Sequence, residues 1–132
     1  MIVLVTGAAG FIGSSLAIGL LKRGDIVVGV DNHNNYYDPA LKEDRVARHL
    51  DHPNYTHIRA DITDQEKVKA IFSKYKFDSV VNLAAQAGVR YSIENPLSYI
   101  YTNILGFTHI LEACRHNNIA HLVYASSSSV YG

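Results

Sequence analysis

The chain has no tryptophan, one cysteine, one methionine and three prolines among 132 residues, and no surplus of charge, with 12 Lys and Arg against 12 Asp and Glu. Each scarcity excludes something. A lone Cys114 cannot build a disulfide framework and fits a reducing compartment. Balanced charge removes the usual argument for a nucleic acid or an anionic membrane as partner. The apolar run Ile2 to Val5 is far too short to span a bilayer and lacks the charged flank of a secretory signal. A soluble cytoplasmic protein is the expectation. Seven histidines are scattered along the chain, and none pairs with Cys114 at metal-ligand spacing, so no metal site is expected. Cys114 reads as a packed helix residue. The length suits one domain, and 48% apolar residues suffice for a core.

What is present alternates in kind. Ile2 to Thr6 is a β-branched apolar run closed by Gly7, the pattern of a buried strand. Phe11 to Lys22 carries apolar residues at helical spacing, with Gly24 placed as its C-terminal stop. Ile26 to Val30 is a second strand, ended by Asp31. Pro39 opens a helix running to about Leu50. Tyr55 to Arg59 is a third strand, and Thr63 or Asp64 caps a helix through Lys74. Ser79 to Leu83 is a fourth strand, Pro96 to about Asn117 one long helix, and His121 to Ala125 a fifth strand. This alternation predicts an α/β fold, a Rossmann-type doubly wound parallel sheet with helices on both faces. Its ligand crevice should lie beyond the carboxyl ends of the strands. Gly7, Asp31, Asp61, Ala84 and Ser126 all follow strand ends.

Thr6 to Gly13 spaces its glycines as G-x-x-G-x-x-G between strand and helix. Such glycines permit a tight turn, close approach to a pyrophosphate and close helix–strand packing, with the anion at the helix N-terminus. A plain structural turn needs the same residues. Asp31 lies 18 residues after Gly13, near the roughly 20-residue offset of a ribose-binding carboxylate. There it would accept from both ribose hydroxyls and repel a 2′-phosphate, favouring NAD over NADP. A loop or capping aspartate is the alternative. Asp61 and Ile62, after the third strand, are placed to flank an adenine.

These pieces, with Asn82-Leu83-Ala84-Ala85 and Ser126-Ser127-Ser128-Ser129-Val130-Tyr131-Gly132, resemble the extended short-chain dehydrogenase/reductase family in order and along the whole chain. Asp31 to Lys42 (DNHNNYYDPALK) and Ala84 to Ser92 (AAQAGVRYS) are most similar to its nucleotide-sugar 4-epimerases, on the UDP-glucuronate branch. The resemblance implies NAD as cofactor and a UDP-sugar as substrate. It implies cofactor contacts from Gly7, Gly10, Phe11, Ile12, Gly13, Asp31, Asn32, Asn35, Asp61, Ile62, Leu83, Ala84, Ala85 and Asn103. It places the catalytic hydroxyl on Ser127, with Ser126 and Ser128 as neighbours, and the substrate on Ser128 and Arg90. A surface role for Arg90 and a helix-face role for Asn103 stand beside those readings. The related 4,6-dehydratases carry Thr-Asp-Glu before Val-Tyr-Gly, whereas this chain has Ser127-Ser128-Ser129, which favours epimerisation.

The family's Tyr-x-x-x-Lys base lies beyond residue 132. The expectation is therefore the partial NAD-binding domain of such an enzyme, over residues 1–132, without the last strands and the sugar-nucleotide domain, and inactive alone. The family also implies a homodimer through the Pro96 to Asn117 helix. A non-catalytic dinucleotide-binding module, a UDP-galactose or UDP-N-acetylhexosamine 4-epimerase and a dehydratase are the competing readings.

Overall fold

A computed structural model describes residues 1–132. Five parallel strands form one sheet in the order β3-β2-β1-β4-β5. They are β1 (Ile2–Thr6), β2 (Ile26–Asp31), β3 (Tyr55–Arg59), β4 (Ser79–Asn82) and β5 (His121–Tyr124). The helices between them are α1 (Phe11–Lys22), α2 (Pro39–Ala47), α3 (Gln65–Lys74), α4 (Val89–Glu94), α5 (Pro96–Tyr99) and α6 (Phe107–His116). A π-helical stretch, Ile100–Gly106, joins α5 to α6, and a 3₁₀ turn covers Ser128–Tyr131.

The period-two alternation of strand side chains divides the core into two layers. Val3, Val5 and Val27 face one side, where they pack with Ala17 and Leu21 of α1 and Val46 of α2. Leu4, Val28, Val30 and Val80 face the other, against Val68, Ile71 and Phe72 of α3 and Ile110, Ala113 and Cys114 of α6. Because both faces are covered, the central strands are apolar throughout and the sequence shows runs rather than alternation. The strand order reverses its direction of growth between β1 and β4, which places the crevice of a doubly wound sheet above those two strand ends.

Local chemistry explains the helix ends. Pro39 occupies the first turn of α2 while the Asp38 carboxylate accepts from Ala40 N at 3.0 Å. Asp64 caps α3 by accepting from Lys67 N at 3.2 Å. Gly24 follows α1 with φ of +95°, a left-handed stop.

The helices differ in detail from the expected ones. α2 ends at Ala47 rather than near Leu50, because the chain tightens at His49, whose N–H reaches back to Val46 O at 3.0 Å. The Pro96 to Asn117 helix is continuous to His116, but its centre, Ile100–Gly106, is π-helical. A short helix, α4, was unread because it buries no residue and so leaves no apolar stripe. Cys114 is buried as expected, and burial pushes its thiol up to about 11, which keeps it protonated and unreactive.

Histidines supply the main acid weakness of the core. His49 is only 6% exposed, packs edge-on against Tyr55 and offers two ring nitrogens without partners. Burial holds His33 and His49 below the ordinary 6.5 and His57 down to about 4. Such groups bind fewer protons folded than unfolded, so their contribution is present at neutral pH and is lost as pH falls from about 6.5 toward 4. Thermal melts should therefore show Tm falling between pH 7 and 5. His49→Phe, which removes an orphaned donor, should raise stability at pH 7 by about 1 kcal/mol and flatten that fall. A steeper fall in the variant would contradict the assignment.

Candidate functional site

The site begins with the turn from β1 into α1. Gly13 sits so close to this turn that a Cβ on it would lie 2.1 Å from Gly7 O. Gly7 has φ of +69°, and a Cβ there would meet Ala84 N and the Leu83 carbonyl carbon at 2.8 Å. No side chain is compatible with either approach. Gly10 caps α1 with no side-chain acceptor, and the first turn holds no acidic residue. The first-turn amides of Phe11, Ile12 and Gly13 consequently face outward at the positive end of a 12-residue helix. This is a cradle for an anion, and the backbone alone forms it.

A cleft of about 410 Å³ opens from that cradle. Gly7, Gly10, Phe11, Ile12, Gly13, Asp31, Asn32, Asp61, Ile62, Leu83, Ala84 and Ala85 line it, so twelve of the residues expected at the cofactor are gathered there. A second cavity of about 550 Å³ shares Leu83, Ala84, Ala85 and Ala125 with the first and continues to Gln86, Asn103, Ser126 and Ser127. Together they make a continuous trough across the β1/β4 strand ends.

Some expected residues are placed otherwise. Asn35 lines neither cavity, and its neighbour Asn34 takes the position at the first. Asn103 lines the second cavity, but both ends of its amide are spent on the backbone of Gln86: Oδ1 accepts from Gln86 N at 2.8 Å, and Nδ2 donates to Gln86 O at 3.1 Å. Arg90, on exposed α4, and Ser128, in the 3₁₀ turn, line neither cavity. Ser127 does face the second cavity, and its Oγ accepts from Ser129 N at 3.1 Å, which leaves its proton to donate.

Asp31 is 5% exposed and already engaged. Its Oδ2 accepts from Ala9 N at 3.0 Å, and its Oδ1 accepts from His33 N at 2.8 Å and Lys42 Nζ at 3.0 Å. A carboxylate has about four acceptor sites, so it cannot also accept from two ribose hydroxyls. One acceptor site remains, and the neighbouring Lys42 ammonium supplies a donor in place of the other. Lys42 was missed as a functional residue. The visible signal was its spacing to Val46 on one face of α2, both of them buried. Arg45, one turn along, lies over the Phe11 ring at 5.8 Å and closes the cleft on that side. At Asp61, burial pushes the pKa up, but hydrogen bonds from Thr63 N (2.9 Å), Thr63 Oγ1 (2.8 Å) and Asn32 Nδ2 (3.2 Å) outweigh it and hold the carboxyl below its ordinary value. No three His, Cys, Asp or Glu side chains are gathered for a metal ion.

A family model described as GDP-mannose 4,6 dehydratase matches residues 4–132. The chain belongs to this family. It is 53% identical over its whole length to protein CapI of Staphylococcus aureus, covering 39% of that protein. It is 50% identical over 131 residues to UDP-glucuronate 4-epimerase 4 of Arabidopsis thaliana, covering 98% of this chain and 30% of the relative. The chain thus spans less than half the length of these curated relatives. Among solved structures, a UDP-glucuronic acid 4-epimerase from Bacillus cereus, in complex with UDP-glucuronic acid and NAD, superposes with a TM-score of 0.90 at 36% identity. That match covers all of this chain and 42% of the other. The Thermus thermophilus UDP-glucose 4-epimerase complex with NAD gives 0.82 at 37% identity, over 96% of this chain and 38% of that one.

In this member of the GDP-mannose 4,6 dehydratase family, one hydroxyl ties the two halves of the trough together. Thr6 Oγ1, 1% exposed, donates to Asn82 Oδ1 and accepts from Leu83 N and Ala84 N, both at 3.1 Å. It fixes the peptide that runs beneath Gly7. Thr6→Val keeps the shape and leaves Ala84 N and Asn82 Oδ1 without partners; Leu83 N retains Thr6 O at 3.2 Å. Urea unfolding should show a loss of about 2–3 kcal/mol. A loss under about 0.5 kcal/mol would show that the hydroxyl is not the tie.

Proposed function

We propose that residues 1–132 form the NAD-binding part of a nucleotide-sugar 4-epimerase that interconverts UDP-glucuronate and UDP-galacturonate. The observation that carries this reading is the continuity of the two cavities. An anion cradle at α1, a carboxylate–lysine pair at Asp31 and Lys42, and a hydroxyl at Ser127 lie along one trough. Its extent suits a dinucleotide in one half and a sugar at its far end.

The residues fit NAD on the evidence of the cradle, whose two closest approaches exclude any Cβ. In that pose the amides of Phe11, Ile12 and Gly13 take the pyrophosphate. Asp31 and Lys42 take the adenosine ribose, and Asp61 and Ile62 flank the adenine. Leu83, Ala84 and Ala85 border the nicotinamide. Bound NAD would supply reversible hydride exchange at sugar C4, and inversion with no net redox change would require the oxidised sugar to turn its other face to the nicotinamide before the hydride returns. Ser127 would donate a hydrogen bond to the reacting sugar oxygen, in a trough that keeps the sugar beside the nicotinamide. Arg90 and Ser128 are proposed at the substrate only through their resemblance to the family's sequence. The absence of a carboxylate at Ser127-Ser128-Ser129 supports epimerisation over dehydration, because eliminating water needs an additional acid and base.

Calorimetric titration of the chain with NAD tests the cofactor reading. Binding should be measurable and should be weakened about tenfold or more by Asp31→Ala, which removes a buried, charged acceptor. Titration without heat would sink the reading. In a full-length enzyme carrying this segment, Ser127→Ala should lower turnover about a hundredfold while leaving NAD affinity unchanged. Unchanged turnover would remove Ser127 from the chemistry.

We further propose that a second copy packs on the α5-to-α6 segment, where Leu97, Ile100, Ile104 and Leu111 are exposed. Sedimentation should show a dimer that Ile104→Glu dissociates. A monomer at every concentration would reject it.

A further inference from the structure

Beside the cleft, on the side away from Ser127, three ring side chains form a hydrogen-bonded line that ends at the ribose carboxylate. Tyr55 Oη lies 2.7 Å from His57 Nδ1. His57 Nε2 lies 2.7 Å from His33 Nε2, with the two rings nearly perpendicular. His33 N donates to Asp31 Oδ1 at 2.8 Å. This line begins in the core, because Tyr55 is 6% exposed and its hydroxyl occupies the space over Gly29, where a Cβ would lie 2.1 Å from Oη. It ends in the cleft, which the largely buried Asp31 lines.

His33 is the weak link in conformational terms. It adopts φ of +53°, a left-handed backbone that non-glycine residues rarely take. Its N–H closes an Asx turn onto the Asp31 carboxylate, a local motif that Asp favours, and the positive φ sets where its ring and the following chain go. The bond from its ring to His57 adds the long-range side-chain contact, from β3, that holds the turn in place.

We propose that Tyr55, His57 and His33 are positioning residues that hold the His33 N–H on Asp31, and so set the geometry with which Asp31 meets the adenosine ribose. This rests on the nucleotide reading above.

The chemistry gives the arrangement a pH dependence. A bond between two Nε2 atoms holds one proton, so one ring must present a bare nitrogen. Both rings can be neutral, or one can be charged, but two imidazolium rings cannot share the contact. Burial opposes charge on either ring and places His57 at about 4. The charged groups that face the pair are Asp31 on β2, Lys42 and Glu43 on α2, and Arg59 on β3, with His49 beyond Tyr55. Asp31 and Glu43 favour protonation of His33, while Arg59 and Lys42 oppose it. The bond therefore survives the first protonation and is lost only when both rings are charged, as pH falls toward 4, which then frees the His33 ring.

The test is NAD and ADP-ribose affinity of the chain by calorimetry at pH 7.5 and 5.5, with thermal melts of every variant. His57→Phe removes both ring bonds, and His57→Gln keeps a donor and an acceptor. His33→Gly accepts the positive φ without strain and removes the ring. The proposal expects His57→Phe and His33→Gly each to weaken both ligands about fivefold at pH 7.5, with His57→Gln intermediate. The double variant should be no weaker than either single one, because both act through one line. On going to pH 5.5 the unaltered protein should lose no more affinity than His57→Phe, because one proton on the pair leaves the His33–His57 bond intact. If His33 matters only for its backbone shape, His33→Gly keeps full affinity, and the proposal fails. If His57→Phe and His57→Gln are folded and bind within about twofold of the unaltered chain, it also fails. If the unaltered chain binds neither ligand, it is the nucleotide reading that falls, and this proposal with it.

Discussion

The structure depends on one steric constraint, the approach of the Gly7–Gly13 turn to itself and to the end of β4. A Cβ at Gly13 would lie 2.1 Å from Gly7 O, and one at Gly7 would lie 2.8 Å from Ala84 N. These distances bring the start of α1 down between β1 and β4, at the point where the strand order reverses its direction of growth. Three consequences follow. The first-turn amides of α1 face the crevice, the backbone at Leu83 to Ala85 becomes a shared wall of two cavities, and Asp31 falls within hydrogen-bond reach of Ala9 N. Thr6 holds the arrangement by satisfying the β4 end with a single buried hydroxyl.

The electrostatics of the cleft are local, as an uncharged whole would suggest. Net charge is zero, yet charged groups are concentrated at the Asp31 end of the cleft. Asp31 pairs with Lys42 at 3.0 Å, both largely buried, and Arg45 stands beside them. A buried pair of this kind is weak evidence for stability, because desolvation consumes most of its attraction. Its value lies in orientation: the carboxylate presents one remaining acceptor site, and the ammonium sits next to it as a donor. Polar side chains thus dominate the Asp31 end of the cleft, while the glycine turn at the other relies on backbone alone.

Much of this was legible in the residues. The β-branched runs Ile2 to Thr6 and Ile26 to Val30 announced buried parallel strands, and the strand limits fell within one residue of the expected ones. The glycine triad and Asp31 located the crevice because their chemistry is carried by backbone and strand position, which sequence order preserves. What was not legible depends on side chains meeting across the fold. In the π-helical stretch Ile100–Gly106, Asn103 reaches Gln86 and Gly106 backs onto Ile62, where a Cβ would lie 2.6 Å from Ile62 Cγ1. Lys42 reads as a surface lysine until α2 folds over Asp31. His33 and His57, 24 residues apart, look scattered until β2 and β3 lie in register, Val30 beside Ile58. Arg90, expected at the substrate, sits on a helix that buries nothing, and its side chain lines neither cavity.

The central claim is that α1 and its glycine turn form a dinucleotide cradle made by backbone. The most direct measurement is amide-resolved NMR of the chain titrated with NAD. The account predicts that the Phe11, Ile12 and Gly13 amides shift most, with smaller shifts at Asp31, Lys42 and Ala84. Shifts confined to the α5-to-α6 surface, or none at the start of α1 under saturating NAD, would contradict it.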